Sequence, residues 1–397
     1  MKRKSGGTML VMAVAFLFCV PIASSWAQEV GVTDSSIKIG MFAPLTGPVS
    51  HWGWPTVNGA TTIYNEVNKA GGIHGRKIEL STMDDRCTPE GAKSAVKKLI
   101  YSDKVFLING GVCSAAVFGT REEIINAKIP YMNMAATMDK IFEPVNRYLF
   151  SPTVPASMDG VTILEFLLSR PGTKRLALVA HPDEWARSKL EKGLLLLKEK
   201  YRLDLVANET MDRGAMDATP QILRIKEAKP DAVLTFIYPA EGAIFCRDAN
   251  KYGLRVPFGG PNALMDLMDL RDRVGSWKPL ENLYTATYLR ASVTKFPELA
   301  KTHSSYFPKD KFTSLTITGM ASAMVVIEGL KRAGRNLTRE RLIDSWETLK
   351  DFDTKILSSR ITFTEKDHLG AKESWIVTMV KDEEYYMQEG KWIEGLK

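Results

Sequence analysis

The stretch VFLINGGVCSAAVFGTREEIINA, residues 105–127, decides the fold. Its opening, Val105–Asn109, is a short apolar run of the kind a strand buried on both faces carries. Gly110-Gly111 interrupts the run, and apolar residues then recur at helical spacing from about Ser114 to Ala127. A strand that passes through a glycine-rich loop into a helix is the opening half of a βαβ unit.

The unit recurs on both sides. Towards the N-terminus, Ile37–Ala43 reads as a strand, Leu45-Thr46-Gly47-Pro48 as a loop and Val57–Lys69 as a helix. A strand at Arg76–Met83 and a helix at Pro89–Tyr101 follow. Beyond the quoted stretch, Ile129–Asn133 is a short fourth strand, with Pro130 near its start, where a missing N–H is tolerated. The rhythm restarts after Ser151-Pro152 with a helix at Met158–Ser169, a strand at Arg175–Ala180, a helix at Glu184–Tyr201 and a strand at Leu205–Glu209. A helix at Thr219–Ala228, a strand at Ala232–Ile237 and a helix at Glu241–Tyr252 complete this second half. The alternation predicts an α/β protein with two similar halves, each a parallel sheet covered by helices on both faces. After Leu280 come a strand at Leu283–Thr287, three helical stretches ending with Leu337–Leu349, and strands at Arg360–Phe363 and Trp375–Lys381. This mixed tail reads as a completion of the two halves, not as a third domain. Ligands of open parallel sheets bind beyond the carboxyl ends of the strands. That places the chemistry in the loops after Ala43, Asp84, Asn109, Asn133, Ala180, Ile237 and Gly259.

The N-terminus sets the compartment. Lys2, Arg3 and Lys4 precede the apolar run Met9–Ile22, and Ser25-Trp26-Ala27 has small residues at its first and third places. This is the pattern of a signal peptide cleaved after Ala27, and the apolar run is shorter than the roughly 20 residues that span a bilayer. Cleavage leaves 370 of the 397 residues and lowers the net charge from +7 to +4, with 50 basic against 46 acidic side chains. No clustered basic face argues for a nucleic-acid partner. Of the remaining cysteines, Cys87 and Cys113 lie in loops just after apolar strands and are the expected disulfide pair, while Cys246 falls in a helical pattern as a buried thiol. No CxxC occurs and the histidines are scattered, so no metal and no cofactor are expected.

No Walker A loop, G-x-S-x-G elbow or H-E-x-x-H is present, so no enzyme is expected. The most informative loop is Asn109–Ser114. Its glycines allow close main-chain approach, and the free N–H groups of the following helix favour an anion such as a carboxylate. Ser114 reads either as a ligand contact or as the cap of its own helix. Ala135, Ala136 and Thr137 follow the fourth strand, small residues beside one hydroxyl that both donates and accepts. Trp52, Trp185 and Tyr238 stand near strand ends or helix starts, placed either to sandwich a flat ligand or to pack internally.

Taken together, these loops resemble the leucine/isoleucine/valine-binding protein family of periplasmic solute receptors. The pieces that carry the resemblance are Ile37–Gly40 with Leu45–Pro48, Ala70–Gly75, Asp84–Cys87 with Gly111–Ser114, and Ala135–Thr137. The resemblance implies a type I periplasmic-binding fold: two Rossmann-like lobes joined by a multi-strand hinge, with a disulfide at Cys87 and Cys113. It implies lobes of residues 28–150 with 284–357 and 151–283 with 358–397, after a signal peptide at 1–27. Carried over by motif, Ser114, the Ala135 main chain, Ala136 and Thr137 hold a ligand carboxylate and polar head. Trp52, Trp185 and Tyr238 surround its body. The chain departs from the pattern at Asn262, where the amino-acid receptors place the Glu that pairs with the ligand ammonium. Losing one partner of a buried pair costs about 3–5 kcal/mol, at least a hundredfold in affinity. The expected ligand is therefore an aromatic or other simple carboxylic acid. The alternative is a branched-chain or aromatic amino acid whose ammonium meets Asp183, Glu184 or Glu241; a ligand-sensing receptor domain is a further alternative. The expected setting is the periplasm, as a monomer serving an ABC transporter permease of the inner membrane.

Overall fold

The computed structural model describes residues 29–380, 383–388 and 391–393; the expected signal peptide at 1–27 lies outside them. Two sheets form the core. The first contains β1 (Ser36–Ala43), β2 (Lys77–Asp84), β3 (Leu107–Gly110), β4 (Tyr131–Asn133) and β5 (Leu149–Phe150), all parallel, in the order β2-β1-β3-β4-β5. Its connections run through α1 (Ser50–Lys69), α2 (Pro89–Lys97), α3 (Ser114–Asn126) and the single turn α4 (Asp139–Phe142). The second half repeats the plan. It contains α5 (Ala156–Ser169), β6 (Leu176–Ala180), α6 (Glu184–Glu199), β7 (Leu205–Thr210), α7 (Thr219–Glu227), β8 (Ala232–Phe236), α8 (Pro239–Tyr252), β9 (Phe258–Gly260), α9 (Leu267–Val274) and β10 (Leu283–Thr287).

The second sheet runs β7-β6-β8-β9-β10, the order of the first sheet over again. It is extended by an antiparallel meander of β11 (Trp375–Val380), β12 (Glu383–Gln388) and β13 (Lys391–Ile393). The strands of both sheets are buried along their whole length at β3, β4, β6 and β8, as a sheet covered on both faces requires. Helices α10 (Pro297–Tyr306), α11 (Ser314–Ala333) and α12 (Arg339–Glu347) return to the first half, where α11 lies along α1. β10, which straddles the expected lobe boundary at 284, pairs wholly within the second sheet. Arg360–Phe363, read as a strand, makes only the single bridge Phe352–Ile361.

The chain passes between the halves three times, before α5, after β10 and before β11. These passes are bonded to one another. Ser151 N donates to His368 O (2.9 Å) and Gly370 N to Ser151 O (2.7 Å), while Arg290 N donates to Ile356 O (2.9 Å) and Ser358 N to Tyr288 O (2.8 Å).

Helix α1 begins at Ser50, seven residues before the start that the apolar pattern indicates. Pro55 hides those first turns, since it cannot donate to His51 O. Gly53 is required there: a Cβ would lie 1.9 Å from Pro44 O. The early start carries His51 and Trp52 past the end of the sheet.

Cys87 and Cys113 are bonded, with Cα atoms 5.4 Å apart and a sequence separation of 26. The bridge ties the loop after β2 to the residue that precedes α3. Closing a loop of this length stabilises by about 3 kcal/mol. A Cys87→Ser/Cys113→Ser variant is expected to lose that amount in urea unfolding, with the far-ultraviolet spectrum retained. Beside the bridge, Asp85 is fully buried, accepts from Cys87 N through Oδ1 (2.7 Å) and has no partner for Oδ2 among the described residues. Burial pushes its carboxyl up to about 6. A raised carboxyl favours folding while protonated, so its contribution is full below the unfolded pKa and is lost as pH rises through the folded one. Relative to Asp85→Asn, the native protein should lose about 3 kcal/mol of unfolding free energy between about pH 4 and pH 6.

Candidate functional site

In a doubly wound sheet of order 2-1-3-4-5, the winding reverses between the first and third strands, and loops there diverge to leave a crevice. Both sheets have such a point, and the two crevices face one another. Between them lies a cavity of about 150 Å³ lined by Trp52, Ser114, Ala135, Thr137, Trp185, Tyr238 and Asn262, among others. Seven of the eight ligand residues expected from sequence thus share one cavity.

The first half supplies the hydrogen-bonding wall. β3 ends at Gly110, and Gly111 turns the chain at φ 89°. A Cβ on Gly111 would meet Val117 Cγ2 at 2.4 Å and the Tyr131 hydroxyl at 2.7 Å. Ser114 opens α3, but its hydroxyl does not cap that helix. Ser114 Oγ accepts from the main-chain N–H groups of Thr137 (3.1 Å) and Met138 (3.3 Å), joining the loops after β3 and β4. Both contacts use the oxygen as acceptor, which leaves the hydroxyl proton to donate into the cavity. Ala136 is turned away from the cavity. Its N–H donates to Asn133 Oδ1 (3.1 Å) and its carbonyl accepts from Asn133 Nδ2 (2.7 Å), so both polar groups are already used in the core.

The second half supplies rings. Asp183 caps α6 by accepting from Ala186 N (3.0 Å), which places Trp185 in the first helical turn. Tyr238 precedes α8, its N–H donating to His181 Nε2 (2.9 Å). His181 Nδ1 lies 2.6 Å from Met211 O, so the ring carries its proton on Nδ1. Trp185 and Tyr238 have ring centroids 4.3 Å apart, and Trp52 of the first half meets Tyr238 edge-on at 5.0 Å. The Arg213 guanidinium lies 4.4 Å from the Tyr238 ring centre and donates to its hydroxyl (3.0 Å), while burial pushes the phenol up to about 12.

Asn262 lies in a short 3-10 turn after β9. Behind it sits a pair that the sequence reading missed. Lys189 is fully buried, and its Nζ donates to Asp159 Oδ2 (2.5 Å), Thr137 Oγ1 (3.2 Å) and Asn262 Oδ1 (3.1 Å). Asp159 is fully buried as well, and desolvation raises its carboxyl above the usual range despite the lysine beside it. A signal existed: Lys189 shares the core face of α6 with Ala186, Leu190, Gly193 and Leu197, and Asp159 occupies a core position of α5. Opposite charges at two core positions point to a buried pair.

The three acids expected to receive an ammonium are engaged elsewhere. Asp183 takes Arg213 (2.6 Å), Glu184 takes Lys140 (2.8 Å) and Arg187 (3.0 Å), and Glu241 accepts from Gly214 N (2.7 Å). The carboxylates that line the cavity are Asp266 and Asp269. Asp266 accepts from Ser314 N (3.2 Å) and Oγ (2.9 Å), and Asp269 pairs with Arg273 (2.7 Å).

Residues 36–384 match the family described as periplasmic binding protein. The chain belongs to this family. A leucine-, isoleucine-, valine-, threonine- and alanine-binding protein of Pseudomonas aeruginosa is 26% identical over 62% of the chain and 66% of its own length, so the match spans about two thirds of that relative. Among solved structures, a branched-chain amino acid ABC transporter of Thermus thermophilus with bound valine superposes with a TM-score of 0.80 at 20% identity, covering 89% of this chain and 96% of that one. A solute-binding protein of Rhodopseudomonas palustris in complex with 3,4-dihydroxybenzoic acid gives 0.74 at 23% identity, covering 92% and 99%. The architecture is the type I periplasmic-binding fold, in agreement with the resemblance read from the loops.

The buried pair generates a stability prediction. Asp159→Ala leaves the Lys189 ammonium dry and unpaired, which should cost about 3–5 kcal/mol in urea unfolding. The double variant Asp159→Asn/Lys189→Met, which removes both charges, should recover most of that loss.

Proposed function

We propose that the chain is the extracytoplasmic solute-binding subunit of an ABC importer. In this reading it is exported by the segment 1–27 and carries an aromatic or other simple carboxylic acid to an inner-membrane permease. The observation that carries the reading is the division of labour across the cavity. One half presents the hydroxyls of Ser114 and Thr137, and the other presents rings at Trp185 and Tyr238, with Trp52 closing from the first side. A carboxylate fits the first wall, which joins a helix N-terminus to a hydroxyl with a proton to give. A flat apolar body fits between the rings. Neither half binds both ends of such a ligand, so occupancy favours the closed arrangement.

Asn262 and Lys189 argue against an α-ammonium at the Thr137 end. A second reading, amino-acid binding, has its own support in Asp266 and Asp269, the two acids of the cavity wall. Asp269 is already paired with Arg273 and Asp266 is hydrogen-bonded to Ser314, and neither lies at the Thr137 end, which makes this the weaker reading. The relatives point both ways: the Pseudomonas protein is named for amino acids, and the Rhodopseudomonas structure holds a dihydroxybenzoate. Calorimetric titration of the purified mature protein separates them. Benzoates or phenylpropenoates should bind at least a hundredfold more tightly than leucine and phenylalanine, the ratio that corresponds to about 3 kcal/mol. Micromolar leucine or phenylalanine binding with none to the acids would reverse the assignment.

A further inference from the structure

Lys189 stands where the two halves and the polar end of the cavity meet. It belongs to α6 in the second half, yet one of its three donors reaches Thr137 Oγ1 in the first half. Another reaches Asn262 Oδ1. Both acceptors belong to residues that line the cavity. Its counter-charge is Asp159, which accepts from Nζ through Oδ2 and whose Oδ1 has no hydrogen-bond partner among the described residues. The cation thus reaches the cavity wall directly, through two of that wall's oxygens.

A dry ion pair is a poor way to fill space, because well-packed apolar residues of similar volume stabilise as much or more. What apolar residues cannot supply is a fixed positive potential. We infer that Lys189 sets the charge preference of the cavity, serving as the site's built-in ammonium and so selecting anionic ligands that bring none of their own. The inference rests on the carboxylate-binding reading and names the residue that enforces it.

Two effects act in the same direction. A ligand ammonium seated beside Thr137 and Asn262 would have to share oxygens that already accept from Lys189, and it would meet the like charge of a buried lysine, where Coulomb interactions are weakly screened. A carboxylate at Ser114 and Thr137 meets the opposite sign and needs no oxygen acceptor. Of the other charges that line the cavity, Asp269 is paired with Arg273, while Asp266 is hydrogen-bonded to Ser314 and lies on a different segment from the Thr137 and Asn262 oxygens that Lys189 holds.

The experiment compares benzoate and phenylalanine binding by calorimetry in the native protein, in Lys189→Arg and in Asp159→Asn/Lys189→Met. Near-ultraviolet circular dichroism and thermal melts establish that each variant is folded. The uncharged double variant should bind benzoate at least tenfold more weakly and phenylalanine no more weakly, so the benzoate-to-phenylalanine ratio falls tenfold or more. Lys189→Arg, which keeps the charge, should keep most of that ratio. A purely structural lysine would shift both ligands together. If the double variant retains the native ratio while the native protein binds benzoate, the role of Lys189 is overturned and the carboxylate reading stands. If the native protein binds phenylalanine in preference to benzoate, or binds neither, the carboxylate reading fails and this inference fails with it.

Discussion

Each sheet reverses its winding between its first and third strands, and that reversal governs everything at the centre of the molecule. Helices that leave the strands on opposite faces cannot fill the space directly above the reversal. Two such gaps, set face to face, make a cavity whose walls are strand ends, helix starts and main-chain N–H groups. Ser114 follows β3 and Tyr238 follows β8, the third strand of each half. Trp185 follows β6, the first strand of the second sheet. The position of the site is a result of topology before it is a result of residue choice.

Much of this was legible. The βαβ rhythm, the restart near Ser151, the disulfide partners and most of the cavity wall follow from short apolar runs, glycine punctuation and the types of residue at strand ends. What was missed has physical reasons. The first two turns of α1 carry Pro55 and face the cavity, not a sheet, so neither periodicity nor propensity marks them. Ala136 looks equivalent to its neighbours in sequence, and only the bonds from Asn133 show that its polar groups are spent. Arg360–Phe363 has the composition of a strand but, among the described residues, no neighbouring strand to complete a ladder, a non-local fact. Asp266 and Asp269 were passed over because the chain between β9 and β10 reaches the cavity by a path that no repeat indicates.

The buried Lys189–Asp159 pair shows how residue choice acts once topology has made the space. A lysine on the core face of a helix violates the apolar pattern, and such violations concentrate where function sets the sequence. Its neighbours explain how the violation is tolerated. Three oxygens receive its three protons, so no donor is left bare in a region where an unpaired group is costly. The same satisfaction fixes Thr137 and Asn262 relative to each other, although they belong to different halves of the molecule.

The three passes between the halves have a mechanical consequence. Ser151 is bonded to the segment that carries His368 and Gly370, and the chain at Tyr288–Arg290 to that at Ile356–Ser358. These segments meet through isolated bridges, Ser151 with Leu369 and Leu289 with Leu357, and segments bonded side by side resist sliding past one another more than they resist bending. Trp52 and Tyr238, which meet across the gap, belong to the two halves that this linkage joins, so parting the rings would bend all three passes together.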